Sequence, residues 1–286
     1  MAEAVLMFGL GATKAGSSWL YRFLRGHPDC HLRAVKELHW FDTLAGNRRP
    51  RRIARLEARV AELRAEAEAG TLTVRRRLGD HAALAEAMAR GTDADYLAFL
   101  NEGRADRPLV GDITPAYATL GEDWLSRMAA LAPGSRFVYL MRDPLARLWS
   151  HLRMLARRDA PSAAAMRAHA EGLMDAAIGG GAQDVIARGD YAGVIGRLSR
   201  AVPEGRVFLG FFEELVSGEA VARLCDFLGI ARAEAPLGKA VHQGVPLPLD
   251  EGRRAAALRL LAPQYDFVSA RMGRLPAAWE ANLSRV

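Results

Sequence analysis

The sequence predicts an α/β fold in which a central parallel sheet is flanked by helices. Short apolar strands alternate with helices along most of the chain, and a glycine-rich loop joins the first strand to the first helix. Half of the 286 residues are apolar and a quarter are charged, which is typical of a soluble globular protein. We expect a single domain over residues 1–286, with a helical insertion at about residues 48–105.

The first strand and the first helix enclose the glycine-rich loop. The apolar run Val5–Leu10 predicts a buried strand, and Trp19–Leu24 predicts a helix. Ser17 or Ser18 can begin this helix, and Gly26 with Pro28 ends it. The pattern therefore predicts a strand, a loop and a helix in direct succession.

The insertion follows a second extended segment, Cys30–Ala34. Its composition shifts to Arg, Ala and Glu, and apolar residues recur at helical spacing at Ile53, Leu56, Val60 and Leu63. Further helices are predicted at His81–Ala89 and Asp93–Leu100. We interpret the apolar stripe as facing the core and the charged face as solvated.

Strands and helices alternate again after the insertion, and this rhythm predicts a parallel sheet covered on both faces. The predicted strands are Leu109–Asp112, Arg136–Met141 and Arg206–Phe212, and the predicted helices are Glu122–Leu131, Leu145–Arg158, Tyr191–Ala201 and Val221–Leu228. The segment Ala160–Gly181 is rich in Ala and Gly, and it is expected to be either a mobile helical lid or a loose connection.

The composition argues against several classes of protein. No apolar run reaches the ~18 residues that a membrane span needs, and the N-terminus lacks the basic segment of a signal peptide, so a cytoplasmic protein is expected. Cys30 and Cys225 are far apart and lack metal-ligand spacing, which argues against a disulfide framework and a zinc site. The net charge of +6 favours an anionic partner.

The loop Gly9–Ser18 has the features of a phosphate-binding loop. Glycines let the backbone approach a phosphate, amides at the following helix N-terminus point at it, and Lys14 adds a positive charge. In nucleoside triphosphatases the lysine directly follows the last glycine, whereas Lys14 precedes Gly16. The loop is therefore P-loop-like without being the triphosphatase motif, and a glycine-rich turn without a ligand is its alternative interpretation.

A second phosphate-binding element is predicted at Arg136–Ser150. Arg142 stands at the C-terminal end of a strand, which is where open α/β sheets bind ligands. Pro144 suits the first turn of the next helix, with Asp143 as its cap. Arg142 and the hydroxyl of Ser150 can together hold a phosphate; a capped helix with surface arginines is the alternative.

Taken together, these elements resemble the sulfotransferases that use 3′-phosphoadenosine 5′-phosphosulfate (PAPS). Gly11–Leu20 is similar to their 5′-phosphosulfate loop, Lys-x-Gly-Thr-Thr-x-Leu, and Arg136–Ser150 is similar to their 3′-phosphate element, Arg-x-Pro-x-x-Arg-x-x-Ser. Lys36–Phe41 resembles the Lys-Glu-x-His-Phe/Tyr-Phe segment of the heparan-type and bacterial branch. Further segments resemble the family in the same order, namely Gly111–Tyr117, Arg188–Tyr191, Phe211–Leu215 and Asp226–Gly229.

Some positions depart from the family pattern. Ser17 and Ser18 replace the commoner threonines and keep the hydroxyls. Ile113 stands where the heparan-type enzymes carry a lysine, so the resemblance does not extend to their polysaccharide specificity. The loop that covers the donor in the family is only approximated by residues 239–244.

The resemblance implies a PAPS-dependent sulfotransferase that needs no metal and releases 3′-phosphoadenosine 5′-phosphate (PAP). It implies that Lys14 neutralises the leaving phosphate and that Glu37 is the general base, with His39 as the alternative base. The donor contacts it implies are Lys14, Ala15, Gly16, Ser17, Ser18, Trp19, Arg142, Ser150, Tyr191, Gln243 and Gly244.

The acceptor is expected to carry a hydroxyl, and carbohydrates, lipid headgroups and small metabolites all remain open; no oligomeric state is predicted. A nucleotide kinase-like enzyme is the alternative, with Asp112 as its magnesium ligand. A nucleic-acid or membrane-surface binding module is another, supported by the basic stretches Arg48–Arg59 and Arg75–Arg77. Glutamates interrupt that helical face, which favours a solvated helix and no specific nucleic-acid partner.

Overall fold

Five parallel strands form the centre of the computed structural model, which describes residues 4–68, 70–234 and 247–284. The strands are β1 (Val5–Gly11), β2 (Cys30–His31), β3 (Leu109–Ile113), β4 (Arg136–Met141) and β5 (Val207–Phe211). Their order in the sheet is β2-β3-β1-β4-β5, and every pair is parallel. The predicted α/β fold with a central parallel sheet is confirmed.

Helices cover both faces of the sheet. Before the third strand they are α1 (Ser17–Gly26), α2 (Trp40–Ala45), α3 (Arg49–Ala67), α4 (Leu72–Arg90) and α5 (Asp93–Asn101). After it come a short 3₁₀ helix (Pro115–Thr119), α6 (Glu122–Ala130), α7 (Pro144–Asp159), α8 (Ala163–Ile178), α9 (Gln183–Ala187), α10 (Tyr191–Ala201), α11 (Phe212–Ser217), α12 (Val221–Leu228), α13 (Glu251–Met272) and α14 (Ala277–Leu283).

The strand order places the middle of the sheet at a topological switch point. The chain leaves β1, passes over β3 to reach β2, returns to β3 and then crosses to β4 on the other side. In open α/β sheets, ligands bind outside the carboxyl ends of the strands at such a point. The loops that follow β1 and β4 meet there, and both carry the predicted phosphate-binding residues.

The central strands are buried on both faces, which explains why they read as continuous apolar runs. Six of the seven residues of β1 are buried, and so are five of the six in β4. In the core beside them, Phe8 packs against Phe41 and Phe137 with ring centroids 5.8 and 5.2 Å apart. The contact with Phe41 also ties the segment after β2 to the central strands.

Some helices differ from the sequence-based expectation. The segment Ala160–Gly181 is neither a lid nor a loose connection, because α8 buries Ala170, Met174 and Ala177 in the protein. In the insertion, α4 begins at Leu72 rather than at His81. The two C-terminal helices, α13 and α14, were not predicted; they bury large side chains such as Tyr265 and Trp279. Within the described residues, no helix has the length and apolar character needed to cross a membrane.

Candidate active site

The loop after β1 brings Lys14 to the carboxyl edge of the sheet. Lys14 has a left-handed backbone, with φ at 70°, and Gly16 follows with φ at 91°. Any side chain at Gly16 would collide with the ring of Phe212, which lies directly after β5. The loop therefore packs tightly against the residue that follows β5, and both the positive φ and the lack of space require glycine at position 16.

The N-terminus of α1 supplies free amides beside Lys14. The helix begins at Ser17 without a side-chain cap, so the amides of Ser17, Ser18 and Trp19 have no partner within the helix. The amide of Ala15 is already used, since it donates to the Ala12 carbonyl oxygen at 3.0 Å. An anion at this point would meet three amides and the positive end of the helix dipole.

Arg142, which directly follows β4, reaches across to the loop after β1. Its Nη1 donates to the Lys14 carbonyl oxygen at 3.2 Å, and its guanidinium lies 5.5 Å from the centroid of the Phe212 ring. The buried Tyr191 holds the backbone of Arg142, because its hydroxyl accepts from the Arg142 amide and donates to the Arg142 carbonyl oxygen. Tyr191 is thus placed to position Arg142 from behind.

The helix that follows Arg142 starts as the sequence predicts. The Asp143 carboxylate accepts from the Ala146 amide at 2.7 Å and from the Tyr265 hydroxyl at 2.9 Å, and Pro144 occupies the first turn. The Asp143 amide donates to Glu213 at 3.1 Å. These contacts fix the direction of α7 and the position of Arg142 at its start.

Helix α7 adds a second arginine to the cationic cluster. Ser150 is half-buried on this helix, and Arg153 follows three residues later, so the two share one helical face. The ammonium of Lys14 makes a weak contact with Met154 Sδ at 3.9 Å. Burial lowers the pKa of Lys14, and the nearby Arg142 and Arg153 lower it further. The cluster therefore favours an anion that would neutralise it.

The pKa of His151 indicates that the electrostatic potential near this cluster is positive. It is 5 % exposed, and its pKa falls to about 3, first through burial and then through Arg147 and Arg188. Lys14 also lowers this pKa. Arg147 itself is only 1 % exposed, and its Nη2 donates to the Val185 carbonyl oxygen at 3.3 Å.

Lys36 connects the helix N-terminus with the predicted base. Its Nζ lies 2.6 Å from Glu37 Oε1 and 3.4 Å from Ser17 Oγ. The Glu37 carboxylate and the start of α1 therefore face one common space. Burial would raise the pKa of Glu37, but hydrogen bonds from His39 and Lys36 outweigh it and lower the pKa to about 2.

His39 is held between two carboxylates. Its Nδ1 lies 2.9 Å from Asp42 Oδ2, and its Nε2 lies 3.5 Å from Glu37 Oε2. Burial lowers the pKa of His39, yet the hydrogen bonds to Asp42 and Glu37 outweigh it and raise the pKa to about 9. At neutral pH the imidazole is therefore a cation that donates to Glu37.

Asp112 anchors the segment around Glu37 to the sheet through hydrogen bonds. This carboxylate is 1 % exposed, and it accepts hydrogen bonds from the hydroxyls of Tyr96, Thr114 and Tyr117 at 3.0, 2.7 and 2.7 Å. The Tyr117 hydroxyl in turn accepts from the Trp40 amide at 2.9 Å. Because both oxygens of Asp112 are engaged by buried hydroxyls, this residue does not fit the magnesium role of the kinase alternative.

The backbone is unusual at each residue proposed for catalysis. Lys14, Glu37 and His39 all have positive φ, at 70°, 63° and 54°. Residues with a Cβ seldom adopt this region, and holding one there costs about 1–2 kcal/mol. Such strain is frequent where the surrounding structure holds a functional side chain in one direction. Three further non-glycine residues of the described chain share the feature, at loop positions 47, 105 and 182.

Comparison with known proteins decides the family. The model of the sulfotransferase family matches residues 7–234, which is most of the chain. The chain belongs to the sulfotransferase family. No sequence of a curated protein matches the chain significantly.

One solved sulfotransferase shares the fold, and two further sulfotransferase domains are more distantly similar. The sulfotransferase from Alicyclobacillus acidocaldarius has 22 % identity and a TM-score of 0.63, with 98 % of this chain and 100 % of that chain covered. The sulfotransferase domain of the Synechococcus PCC 7002 olefin synthase has 19 % identity and a TM-score of 0.48 over 81 % of this chain and 74 % of that chain. The sulfotransferase domain from the curacin biosynthetic pathway has 17 % identity and a TM-score of 0.46 over 91 % and 98 %.

This sulfotransferase brings several of the predicted site residues together at one edge of the sheet. Lys14, Glu37, His39 and Arg142 lie around the N-terminus of α1. The Trp19 side chain is buried in a stack with Phe23, which leaves only its amide for a ligand. Gln243 and Gly244 lie outside the described residues.

Sequence reasoning missed several residues of this site. They are Arg153, Met154, Phe212 and, on the insertion, Arg52. The spacing of three from Ser150 could have indicated Arg153. The other three are brought in by tertiary packing, and no local pattern in the sequence indicates them.

Proposed function

We propose that this sulfotransferase transfers the sulfuryl group of PAPS to an acceptor hydroxyl, with Glu37 as the general base. One observation carries the proposal: Lys14, Arg142 and the free amides of α1 meet at the switch point, and Lys36 joins them to Glu37. A binding site for an anionic donor and a carboxylate base thus share one space.

The donor side fits a nucleotide that carries two separate phosphate groups. The amides and hydroxyls at Ser17 and Ser18 would hold the 5′-phosphosulfate, and Lys14 would face the oxygen that bridges phosphorus and sulfur. Arg142 and Ser150 would hold the 3′-phosphate. Burial lowers the pKa of Lys14 and the nearby Arg142 lowers it further, so a bound phosphate would stabilise the charged ammonium.

The transfer needs one proton acceptor and one stabilised leaving group. Glu37 takes the proton of the acceptor hydroxyl while the acceptor oxygen forms a bond to sulfur. The bond between sulfur and the bridging oxygen breaks, and that oxygen leaves with the 5′-phosphate of PAP. Lys14 counters the negative charge that grows on the leaving oxygen, so its interaction strengthens in the transition state.

Lys36 can adjust the strength of the base. With a pKa of about 2, Glu37 is ionised at neutral pH but is a weak base. The Lys36 ammonium contacts both Glu37 and Ser17, so it can move from the carboxylate to the sulfuryl oxygens once the donor binds. Loss of that ion pair raises the pKa of Glu37 towards its ordinary range, which makes it a better proton acceptor.

His39 plays the supporting part in this proposal. Its raised pKa keeps it protonated at neutral pH, and in that state it donates a hydrogen bond to Glu37 instead of accepting a proton from the acceptor. Its contact with Asp42 fixes the direction of the ring. His39 therefore orients the carboxylate that we propose as the base.

The donor is tested by comparing PAP with adenosine 5′-monophosphate, which differs only in lacking the 3′-phosphate. We expect PAP to raise the melting temperature clearly, since a ligand at 100 times its dissociation constant adds about 2.7 kcal/mol of stability. Adenosine monophosphate and ATP with magnesium should add much less. Arg142→Gln should remove most of the difference between PAP and the monophosphate. Equal stabilisation by PAP and by ATP with magnesium would contradict the proposal.

A further inference from the structure

A cleft of about 300 Å³ opens beside Glu37. It lies between the segment after β2 and the helices of the insertion. The charged residues that line it include Lys36, Glu37, His39, Arg52, Arg55 and Arg59. Because Glu37 is the proposed base, this cleft is the space in which an acceptor hydroxyl would meet it.

Most charges in the cleft lining are already paired. Lys36 pairs with Glu37, and His39 pairs with Asp42. Arg59 forms ion pairs with Glu62 at 2.5 Å and Glu66 at 3.2 Å. These contacts leave the two remaining cations, Arg52 and Arg55, as the source of the excess positive charge in the lining.

Arg52 and Arg55 have no carboxylate within ion-pair distance among the described residues. Arg52 Nη2 donates instead to the carbonyl oxygens of Glu37 and Leu38, at 3.0 and 2.9 Å, and its Nε is buried without a hydrogen-bond partner. Arg55 is exposed at the cleft and forms no hydrogen bond with the described part of the chain. The two guanidinium groups therefore indicate that this cleft binds an anion.

The spacing of these arginines explains why they act together. Positions 52, 55 and 59 are three and four residues apart, so they share one face of α3. We interpreted this basic stretch from the sequence as a solvated helical face. Arg55 is indeed exposed on this face, and the structure adds that all three arginines line the cleft.

On the basis of the proposed function, we propose that the acceptor is a small molecule with a hydroxyl group and an anionic group, either a carboxylate or a phosphate. Arg52 and Arg55 bind the anion, and Glu37 receives the proton of the hydroxyl. Lys36 and His39 offset the charge of Glu37, so the base does not repel the acceptor. One helical turn separates Arg52 from Arg55, about 5 Å along α3, which suits a compact molecule.

The proposal is tested with matched probes on the full chain saturated with PAP. Glucuronate is compared with glucose, and glycerol 3-phosphate with glycerol, which separates a carboxylate from a phosphate. Binding is measured by calorimetric titration, and sulfuryl transfer from labelled PAPS is measured in parallel. We expect the anionic member of at least one pair to bind roughly tenfold more tightly than its neutral partner, as for one charge-assisted contact.

Two substitutions on the same helix separate a specific contact from the general effect of charge. Arg55→Gln should abolish most of the preference for the anion. Arg64→Gln removes one arginine from the opposite face of α3 and should leave the preference intact. Similar results for both variants, or equal binding of the two members in both pairs (including no binding by either), would overturn the proposal.

A failure of this inference about the acceptor can be distinguished from a failure of the proposed function. If PAP does not stabilise the wild-type protein, the PAPS-dependent function is wrong, and the same probe pairs titrated without PAP then support or overturn the anion site. If PAP stabilises the protein and the anionic probes have no advantage, only the inference about the acceptor is wrong.

Discussion

Lys36 lies between two groups of charged side chains, and the two groups differ in the contacts that hold them. On the donor side, Lys14 and Arg142 form no ion pair with any carboxylate of the described residues. Their contacts are a thioether, a carbonyl oxygen and an aromatic ring. On the acceptor side, charges of opposite sign alternate through Lys36, Glu37, His39 and Asp42, at 2.6, 3.5 and 2.9 Å.

The difference indicates what each side is built to do. Cations without counter-ions repel one another, and the donor side is stabilised when an anion arrives. The acceptor-side charges already satisfy one another, so they hold a carboxylate in a fixed direction before any ligand binds. We therefore expect substitutions on the donor side to change ligand binding or leaving-group stabilisation, and those on the acceptor side to change proton transfer.

The largest effect is expected from Glu37→Gln. Glutamine keeps the shape of the side chain but cannot take a proton at neutral pH. Turnover with a suitable acceptor should fall by ~10²–10⁴, which is the usual contribution of a positioned general base. PAP binding, measured by thermal shift, should hardly change, because Glu37 faces the acceptor.

His39→Asn is the comparison for that substitution. It removes the hydrogen bond to Glu37 but leaves the carboxylate, so turnover should fall less. The reverse ranking, with an active Glu37→Gln and an inactive but folded His39→Asn, would move the base to His39. Folding of both variants is checked by their melting temperatures with and without PAP.

Lys14→Met should give the next largest effect. Methionine keeps most of the length of the side chain and removes its charge, so the leaving oxygen loses its cation. Turnover should fall by roughly 10²–10³, as when one preorganised donor is removed from a developing charge. PAP affinity should fall much less, because the charge on that oxygen appears only as the bond to sulfur breaks. A variant with weak PAP binding but normal turnover at saturating PAPS would make Lys14 a binding residue only.

Asp112→Asn tests whether the acceptor side depends on its attachment to the sheet. The asparagine amide cannot accept hydrogen bonds from all three hydroxyls, and a buried hydroxyl left without a partner costs about 1–3 kcal/mol. We expect a comparable loss of unfolding free energy in denaturant titrations, with reduced turnover and retained PAP binding. Asp123→Asn, at an exposed position on α6, is the control and should change none of these quantities.

The sequence predicted the elements whose patterns are local. The apolar strands, the capped start of α7 and the glycine loop could each be recognised within about ten residues, and their alternation gave the sheet. The C-terminal helices were missed: α13 contains Pro263, and its buried residues, such as Tyr265, contact α7 and not a local partner. The packing of α8 was missed because its alanines resemble those of a flexible segment.

The candidate site shows the same limit. Lys14, Glu37 and Arg142 were indicated by short motifs in the segments that follow β1, β2 and β4. The pairing of Lys36 with both Glu37 and Ser17 joins two separate loops, and only the sheet order brings those loops together. Likewise, Arg52 and Arg55 line the cleft because α3 packs over the segment after β2. The local sequence of an arginine-rich helix does not indicate whether its arginines line a cleft or face solvent.

The smallest expected effect is the pH dependence that His39 gives to stability, and it tests whether the acceptor-side charges are paired in the free protein. The pKa of His39 is raised to about 9 in the folded state, against about 6.5 in an unfolded chain. Its pairing therefore stabilises the fold fully below about pH 6.5, and this stabilisation is lost as the pH rises through about 9. The unfolding free energy of the wild type should exceed that of His39→Gln at pH 6, and the gap should close by pH 9.5. We expect a gap on the order of 1 kcal/mol, because the two side chains are about one-third exposed and solvent screens the pair.

Denaturant titrations at pH 6, 7.5 and 9.5 measure the gap, and His169→Gln, at an exposed position on α8, controls for the general loss of an imidazole. A gap that stays constant over this range would mean that His39 is not held as a cation, and the contrast between the two sides of Lys36 would then not hold.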